Sequence, residues 1–427
     1  MIKSYAFHGI VLELVNSDFN RVKMIHQKRR KELLSRLDDN ALVIVCTNAE
    51  LQRNADCTFP FRPDSSFWYL TGFTEPDAIA VFSKKNYSIF LRPKDKTKEI
   101  WNGKRLGAEA APSTLLADNA YSIELFADQL DTLIDDETVL YYDNNSTNSL
   151  HEDIASADGI KPLLPHLSEM RLVKDAKEME NMQFSADLAV NAHVQAMTNV
   201  KPGMFEYEIA ALFDAEFKRN NSTHAYTPIV AGGANACVLH YIENNEVLKD
   251  GDLLLIDAGC ETEGYASDIT RTFPVNGRFS EAQKQIYSIV LDAQKGAINC
   301  LKPGEKVNKA HDTACSIISN GLIGLGIIND DLPLNEFYMH NTGHWLGLDV
   351  HDCGQYKLND EHRHFEAGMI MTVEPGIYIR KNDKIDPMYW NIGIRIEDDV
   401  LITESGNKVL TQSLVKEIDD IENLMRK

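Results

Sequence analysis

Two nine-residue segments of the chain share one pattern, and this repeat constrains the fold more than any other sequence feature. Residues 251–259 read GDLLLIDAG and residues 368–376 read GMIMTVEPG. In both segments a glycine precedes an apolar run that ends in an acid, Asp257 or Glu374, two residues before a second glycine. Each apolar run predicts a strand that is buried on both faces. A carboxylate at the end of such a strand is costly to bury alone.

The sequence around the two segments is repeated as well. Two helical patterns precede each copy, separated by a Lys-Pro-Gly tripeptide at 201–203 in the first and at 302–304 in the second. A further acid follows each copy, Asp268 in the first and Glu397 in the second. We therefore predict a duplicated helix–helix–strand–hairpin unit, whose pseudo-twofold axis brings four carboxylates to one centre.

Four carboxylates at one centre predict a metal site. We expect the strand that ends at Asp257 to pair with a second strand led by Asp268, so that the two carboxylates face each other and repel unless a cation lies between them. A short stretch offers a nitrogen ligand from one of three histidines, His340, His344 or His351. Oxygen ligands with one imidazole favour ions such as Mn²⁺ or Co²⁺. The charge of the carboxylates matches two divalent ions.

The spacing of His340 and His344 is that of the HExxH zinc helix. We reject that interpretation because Asn341 stands where the motif has glutamate, and because Gly343 disfavours a helix.

The last acid lies in a strand pattern at 392–399. Alternation places Arg395 and Glu397 on one face of this strand and isoleucines on the other. We expect Arg395 to orient the carboxylates by hydrogen bonds.

The composition is typical of a soluble protein with more than one domain. The chain has 427 residues, of which 44% are hydrophobic and 25% are charged, and this length predicts two domains. The net charge of −21 argues against nucleic acid or an anionic membrane as a partner. The seven cysteines show no CxxC spacing. With neither a signal core nor a run of transmembrane length, we expect a cytoplasmic protein.

The first part of the chain predicts an α/β domain. Helical patterns such as Ile123–Leu133 alternate with strand-like runs at Ala41–Cys46, Ala78–Phe82, Ser88–Leu91 and Val139–Tyr142. A segment with two prolines at 161–165 indicates a linker. We predict an N-terminal domain at 1–165, with an extension at 1–22, and a second domain at 166–427.

Five motifs carry a resemblance to a known family: YLTGFTEPDA (69–78), IWNGKRLG (100–107), HWLGLDVHD (344–352), TVEPG (372–376) and GIRIEDD (393–399). Together they resemble the Xaa-Pro aminopeptidases, or aminopeptidases P, of the pita-bread metallopeptidase group. The resemblance extends over roughly residues 24–425. It implies an α/β N-terminal domain followed by an α+β pita-bread catalytic domain with an internal pseudo-twofold repeat.

The resemblance also implies roles for individual residues. The implied metal ligands are Asp257, Asp268, His344, Glu374 and Glu397, of which Asp268 and Glu397 bridge two divalent ions, with Mn²⁺ expected. The implied residues around the substrate are His240, His340, His351, Tyr226, Tyr378 and Arg395.

The implied reaction is hydrolysis of the bond between the first residue and a proline at position two, by a metal-bridging hydroxide. Glu374 would move a proton to the proline nitrogen, His351 would stabilise the oxyanion, and His240 would bind substrate or assist proton transfer. The family often forms dimers or tetramers, so a homo-oligomer is expected.

Three alternatives remain open from the sequence. A prolidase, restricted to Xaa-Pro dipeptides, shares the ligand set. A metal-free binding module and a metal-independent, creatine-type hydrolase of the same fold are disfavoured because all five implied ligands are present.

Overall fold

The structure is a computed structural model that describes residues 23–143 and 159–426. The chain divides into two compact units, Met1–Met170 and Arg171–Lys427. The extension expected at 1–22 lies outside the described residues. A helix, Leu164–Leu172, covers the position of the expected boundary at 165/166, and that boundary stays a prediction.

The N-terminal unit contains a five-stranded mixed sheet, as expected for an α/β domain. In spatial order its strands are Asn119–Ser122, Tyr87–Leu91, Ile79–Phe82, Ala41–Cys46 and Val139–Tyr141. Both edge strands pair in parallel with their neighbours, whereas the inner strands pair antiparallel. Side chains such as Ile44, Val81 and Phe90 are buried and form the core of this unit. A short hairpin, Gln52–Asn54 and Cys57–Thr58, is separate from the sheet.

The N-terminal unit also contains helices at 23–35, Ser65–Thr71, Lys96–Asn102, Gly107–Leu115 and Phe126–Leu133. The pattern at Ile123–Leu133 predicted one helix, but its first three residues form a 3₁₀ turn, Ile123–Leu125. The helix Ser65–Thr71 begins where the Asp64 side chain accepts a hydrogen bond from the amide of Phe67 at 2.9 Å.

The C-terminal unit contains two long helices in each half, which confirms the repeated helical patterns. Its helices are Ala176–Asn199, Glu206–Arg219, Glu281–Ile298, Asn308–Gly324 and Ile418–Met425. Capping boxes start the first helix of each half, from Asp175 with Glu178 and from Ser280 with Gln283. No helix in the described ranges has both the length and the apolarity needed to cross a lipid bilayer.

The strands of the C-terminal unit form several small antiparallel sheets. One sheet holds Ile229–Gly232, Leu253–Asp257 and Thr270–Pro274, and another holds Ile370–Val373, Asp398–Thr403 and Gly406–Val409. The remaining pairs are Gly376–Ile379 with Ile392–Arg395, Lys357–Leu358 with Glu361–His362, and Cys260–Thr262 with both Thr223–His224 and Tyr265–Ala266. The helices and sheets share one large apolar core.

Two details of strand assignment differ from the sequence prediction. Asp268 does not lead a strand, because its amide donates to the carboxylate of Asp399 at 3.1 Å and the ladder begins only at Thr270. Glu397 likewise lies in a break between two strands, where its amide donates to the carbonyl oxygen of Thr270 at 3.0 Å. These two hydrogen bonds join the two halves of the duplicated unit beside the acids.

Candidate metal centre

All five side chains that were predicted as metal ligands line one cavity of about 980 Å³. Asp257 and Glu374 stand at the ends of the two matched strands. Asp268 and Glu397 lie in the breaks between strands, and His344 lies in a non-helical segment. The duplication therefore places its acids at one point, as the repeat predicted.

Hydrogen bonds and short contacts link these side chains across the cavity. The hydroxyl group of Tyr226 lies 2.6 Å from Asp257 Oδ1 and also donates to Asp268. His344 Nε2 is 3.4 Å from Asp268 Oδ2 and 3.5 Å from Glu374 Oε1. The hydroxyl group of Tyr226 thus links Asp257 to Asp268, and Asp268 in turn contacts His344.

Three of the side chains form the tightest group. One ligand atom each from Asp268, His344 and Glu397 lies within 4.8 Å of the other two. Such a group of carboxylate oxygens and an imidazole nitrogen fits a hard or borderline divalent ion. The possible ligand atoms in this cavity therefore fit the divalent metal that the sequence predicts.

Two glycines allow the ligand-bearing segments to approach so closely. A Cβ atom at Gly259 would lie 1.8 Å from the carbonyl oxygen of Ser267, next to Asp268. A Cβ atom at Gly343 would lie 1.9 Å from the carbonyl oxygen of Thr372. Since neither contact leaves room for a side chain, glycine is required at one such position in each half.

Burial and crowding shift the ionisation of the acids. Burial, opposed in part by the charge of His344, raises the pKa of Glu374 to about 7. Burial also raises the pKa of Asp257 despite Arg395, and burial together with the neighbouring carboxylates raises the pKa of Glu397 well above its usual range. Burial lowers the pKa of His344, but the surrounding carboxylates outweigh it and raise the value to about 9. Carboxylates so crowded favour a bound cation.

Arg395 contacts one of the acids, Asp257, directly. Its Nη2 atom lies 2.5 Å from Asp257 Oδ2, and its Nε atom donates to Thr270 Oγ1 at 3.1 Å. Its Nη1 atom donates to the hydroxyl oxygen of Tyr378 at 2.8 Å. Tyr378 is buried. Unlike the other predicted site residues, it does not line the cavity.

His340 contacts Tyr378, which in turn contacts Arg395. Its Nε2 atom is 2.8 Å from the hydroxyl group of Tyr378, and its Nδ1 atom is 2.8 Å from the carbonyl oxygen of Asn341. Burial and the charge of Arg395 lower the pKa of His340 to about 4. A neutral ring fits both bonds, because Nδ1–H donates to the carbonyl group and Nε2 accepts from the phenol.

His351 and His240 line the cavity on its more exposed side. The rings of His351 and His344 are 4.2 Å apart between centroids, at an angle of 74°. Burial and the neighbouring His344 lower the pKa of His351. Both histidines can contact a ligand in the cavity.

Sequence reasoning missed several residues around the acids. Thr270 donates to Glu397 Oε2 at 2.7 Å, and Asp399 accepts from the amide of Asp268. Their spacing offered a signal, because Thr270 follows Asp268 by two residues and Asp399 follows Glu397 by two. The cavity lining also includes His311 and His362, which no sequence pattern singles out.

Comparison with known proteins finds a family match in each of the two units. Residues 180–404 match metallopeptidase family M24, and residues 26–141 match the N-terminal domain of aminopeptidase P. A Xaa-Pro aminopeptidase of Haemophilus influenzae is 46% identical, over 93% of this chain and 96% of that protein. A Xaa-Pro aminopeptidase of Escherichia coli is 40% identical, over 93% of this chain and 97% of that protein.

Solved structures of similar proteins share the fold. Proline aminopeptidase P II from Yersinia pestis is 40% identical, with a TM-score of 0.90 over 94% of this chain and 99% of that one. Aminopeptidase P from Escherichia coli with the inhibitor Pro-Leu is 39% identical, with a TM-score of 0.91 over 94% of this chain and 98% of that one. A zinc-substituted form of the Escherichia coli enzyme, in complex with product, has a TM-score of 0.91, is 38% identical and covers 95% of this chain and 99% of that one.

The chain belongs to metallopeptidase family M24 and, within it, to the Xaa-Pro aminopeptidases. It is a hydrolase, and the fold class predicted from the sequence is confirmed, with an aminopeptidase P N-terminal domain before the catalytic domain.

Proposed function

We propose that this protein removes the first residue from peptides whose second residue is proline, at a centre of two divalent metal ions. The observation that carries the proposal is the convergence of Asp257, Asp268, His344, Glu374 and Glu397 on one cavity. The Xaa-Pro aminopeptidases of Haemophilus influenzae and Escherichia coli support the substrate class.

The two ions would be held as follows. Asp268 and Glu397 would contribute to holding both ions, Asp257 to holding one of them, and His344 and Glu374 to holding the other. The position of Asp268, whose two oxygens face Tyr226 and His344, supports its bridging role. When bound, such ions lower the pKa of a coordinated water molecule and polarise the scissile carbonyl group.

Glu374 acts as the proton carrier in this proposal. The nitrogen of a Xaa-Pro bond carries no hydrogen, so it must gain a proton before it can leave as an amine. The carboxylate of Glu374 takes the proton of the attacking water and passes it to the proline nitrogen.

The remaining residues of the cavity position the substrate. His351 donates to the carbonyl oxygen as negative charge develops there, and its position beside His344 supports this role. His240 and His340 bind the peptide, and His240 assists proton transfer. Tyr226 orients Asp257 and Asp268. Tyr378, together with Arg395, holds His340 from behind.

Four further properties belong to the proposal. Manganese is the proposed metal, supported by the oxygen-rich ligand set. A cytoplasmic location is supported by the seven cysteines, all of which are free thiols. A homo-oligomer, dimer or tetramer, is supported by the exposed neighbours Ile100 and Trp101, which are 81% and 82% exposed. Peptides are the proposed partners, and the net charge of −21 disfavours nucleic acid and anionic membranes.

Cleavage of peptides of two to five residues, with and without added Mn²⁺, tests this function. We expect Mn²⁺-dependent release of the first residue from peptides with proline at position two, and little release from matched peptides with alanine there. Cleavage confined to the dipeptide would favour a prolidase. Equal cleavage of the alanine peptides would contradict the proposal.

A further inference from the structure

Glu206 is a fully buried carboxylate that the proposed reaction does not use. It is the first residue of the helix Glu206–Arg219, and its exposed fraction is zero. It does not line the cavity that holds the metal centre. Because a buried carboxylate is costly unless hydrogen bonds satisfy it, its partners show what it holds.

In the described part of the chain, the four hydrogen bonds to the carboxylate of Glu206 all come from one segment, residues 232–246. Its Oε1 atom accepts from the amide of Gly232 at 2.7 Å and from the side chain of Asn235 at 3.1 Å. Its Oε2 atom accepts from the hydroxyl group of Tyr241 at 2.7 Å and from the amide of Glu246 at 2.9 Å. One carboxylate therefore binds both ends of this loop and its middle.

This loop carries His240 to the cavity. His240 is exposed and lines the cavity, whereas its neighbour Tyr241 is buried. Within the described part of the chain, no hydrogen bond fixes the imidazole ring of His240. The position of the ring therefore follows from the backbone around it. The nearest fixed point on that backbone is the bond between Tyr241 and Glu206.

We propose that Tyr241 and Glu206 are positioning residues that hold His240 at the substrate. The inference rests on the role proposed above for His240. A hydrogen bond from a phenol to a carboxylate is stronger than one between neutral groups, so it can hold an otherwise exposed loop. Loss of this bond lets the backbone at His240 shift, and a misplacement of about 1 Å can lower the rate about a hundredfold.

Tyr241→Phe tests the inference without removing volume from the core. We expect kcat/KM of the Mn²⁺-loaded enzyme on a Xaa-Pro-Xaa tripeptide to fall roughly tenfold, within the range expected for a displaced contact residue. The matched control is Tyr265→Phe, because the buried hydroxyl group of Tyr265 donates to Glu178 at 2.9 Å and does not line the cavity. The control should lower the midpoint of thermal unfolding by a similar amount and leave kcat/KM within about twofold.

A double-mutant cycle with His240→Ala separates positioning from a general loss of structure. If Tyr241 acts through His240, Tyr241→Phe lowers kcat/KM in the wild-type background and has no further effect in the His240→Ala background. Equal effects in both backgrounds would overturn the inference while leaving the role of His240 intact. Full activity of His240→Ala would show that the role proposed for His240 is wrong, and the inference would be wrong with it.

Discussion

In the proposed reaction, Glu374 both binds metal and carries a proton. Its carboxylate lies 3.5 Å from His344 Nε2, and burial raises its pKa to about 7. Glu374→Gln keeps the shape and one ligand oxygen but removes the charge and the basic site. We expect turnover of a Xaa-Pro-Xaa tripeptide to fall at least about a hundredfold, the lower end of what general acid–base catalysis contributes.

Turnover measured against Mn²⁺ concentration distinguishes a proton carrier from a simple ligand. A proton carrier gives a low plateau even when both ions are bound. Near-complete recovery at saturating Mn²⁺ would show instead that Glu374 only holds a metal. Glu305→Gln is the control, because Glu305 forms an ion pair with Lys309 and neither side chain lines the cavity, so it should leave turnover unchanged.

His351 differs from the metal ligands in its surroundings. It lines the cavity beside His344, yet it is not a member of the tight group of ligand atoms. We expect His351→Ala to lower kcat by about 10²–10³, the cost of losing one oxyanion donor, and to leave the metal content unchanged. Metal analysis and kinetics on one preparation check this. Parallel losses of metal and activity would assign His351 to the metal instead.

At the scale of elements, the long helix Ala176–Asn199 contacts the backbone just after the strand Leu253–Asp257. His193 on this helix is fully buried, and its Nε2 atom is 3.1 Å from the carbonyl oxygen of Ala258. Burial and the charge of Arg271 lower the pKa of His193 to about 3. In the unfolded chain a histidine binds its proton near pH 6.5. The folded state therefore loses stability as the pH falls below about 6.5.

The expected loss from His193 is about 2 kcal/mol between pH 7 and pH 5. Urea unfolding of the wild type and of His193→Gln at both pH values measures it. The variant should lose about 2 kcal/mol less than the wild type over this interval, whatever its stability at pH 7. An equal pH dependence in the two proteins would show that His193 is not held neutral in the fold.

The sequence predicted the matched strands, their terminal acids and the helices before them, because hydrophobic runs and spacing are local signals. It placed Asp268 and Glu397 inside strands, whereas both lie in breaks. Those breaks depend on hydrogen bonds between the two halves, from Asp268 to Asp399 and from Glu397 to Thr270. A contact between residues more than a hundred positions apart leaves no local pattern. The contact between His340 and Tyr378, 38 positions apart, also lies beyond the reach of a local sequence pattern.

At the scale of the catalytic unit, the duplication is the reason to propose two ions at this centre. The first half supplies Asp257 and Asp268, and the second supplies His344, Glu374 and Glu397. Gly259 and Gly343 permit the same close backbone approach in each half. Each half thus offers its own set of ligands, and the hydrogen bonds between the halves bring the two sets together.

We therefore expect two tightly bound Mn²⁺ ions per chain, roughly 3.5–4 Å apart, as in other two-metal sites. Substitutions in opposite halves should each remove one ion. Asp257→Asn weakens the site nearer the first half, and His344→Ala weakens the site nearer the second. Metal analysis after dialysis, together with the electron paramagnetic resonance spectrum of coupled Mn²⁺ pairs, measures both. The wild type should hold two ions with a coupled spectrum, and each variant should hold one ion with an uncoupled spectrum. A single tight ion in the wild type would contradict the two-metal centre, in which a second divalent ion balances the two negative charges of the four carboxylates that the first ion leaves.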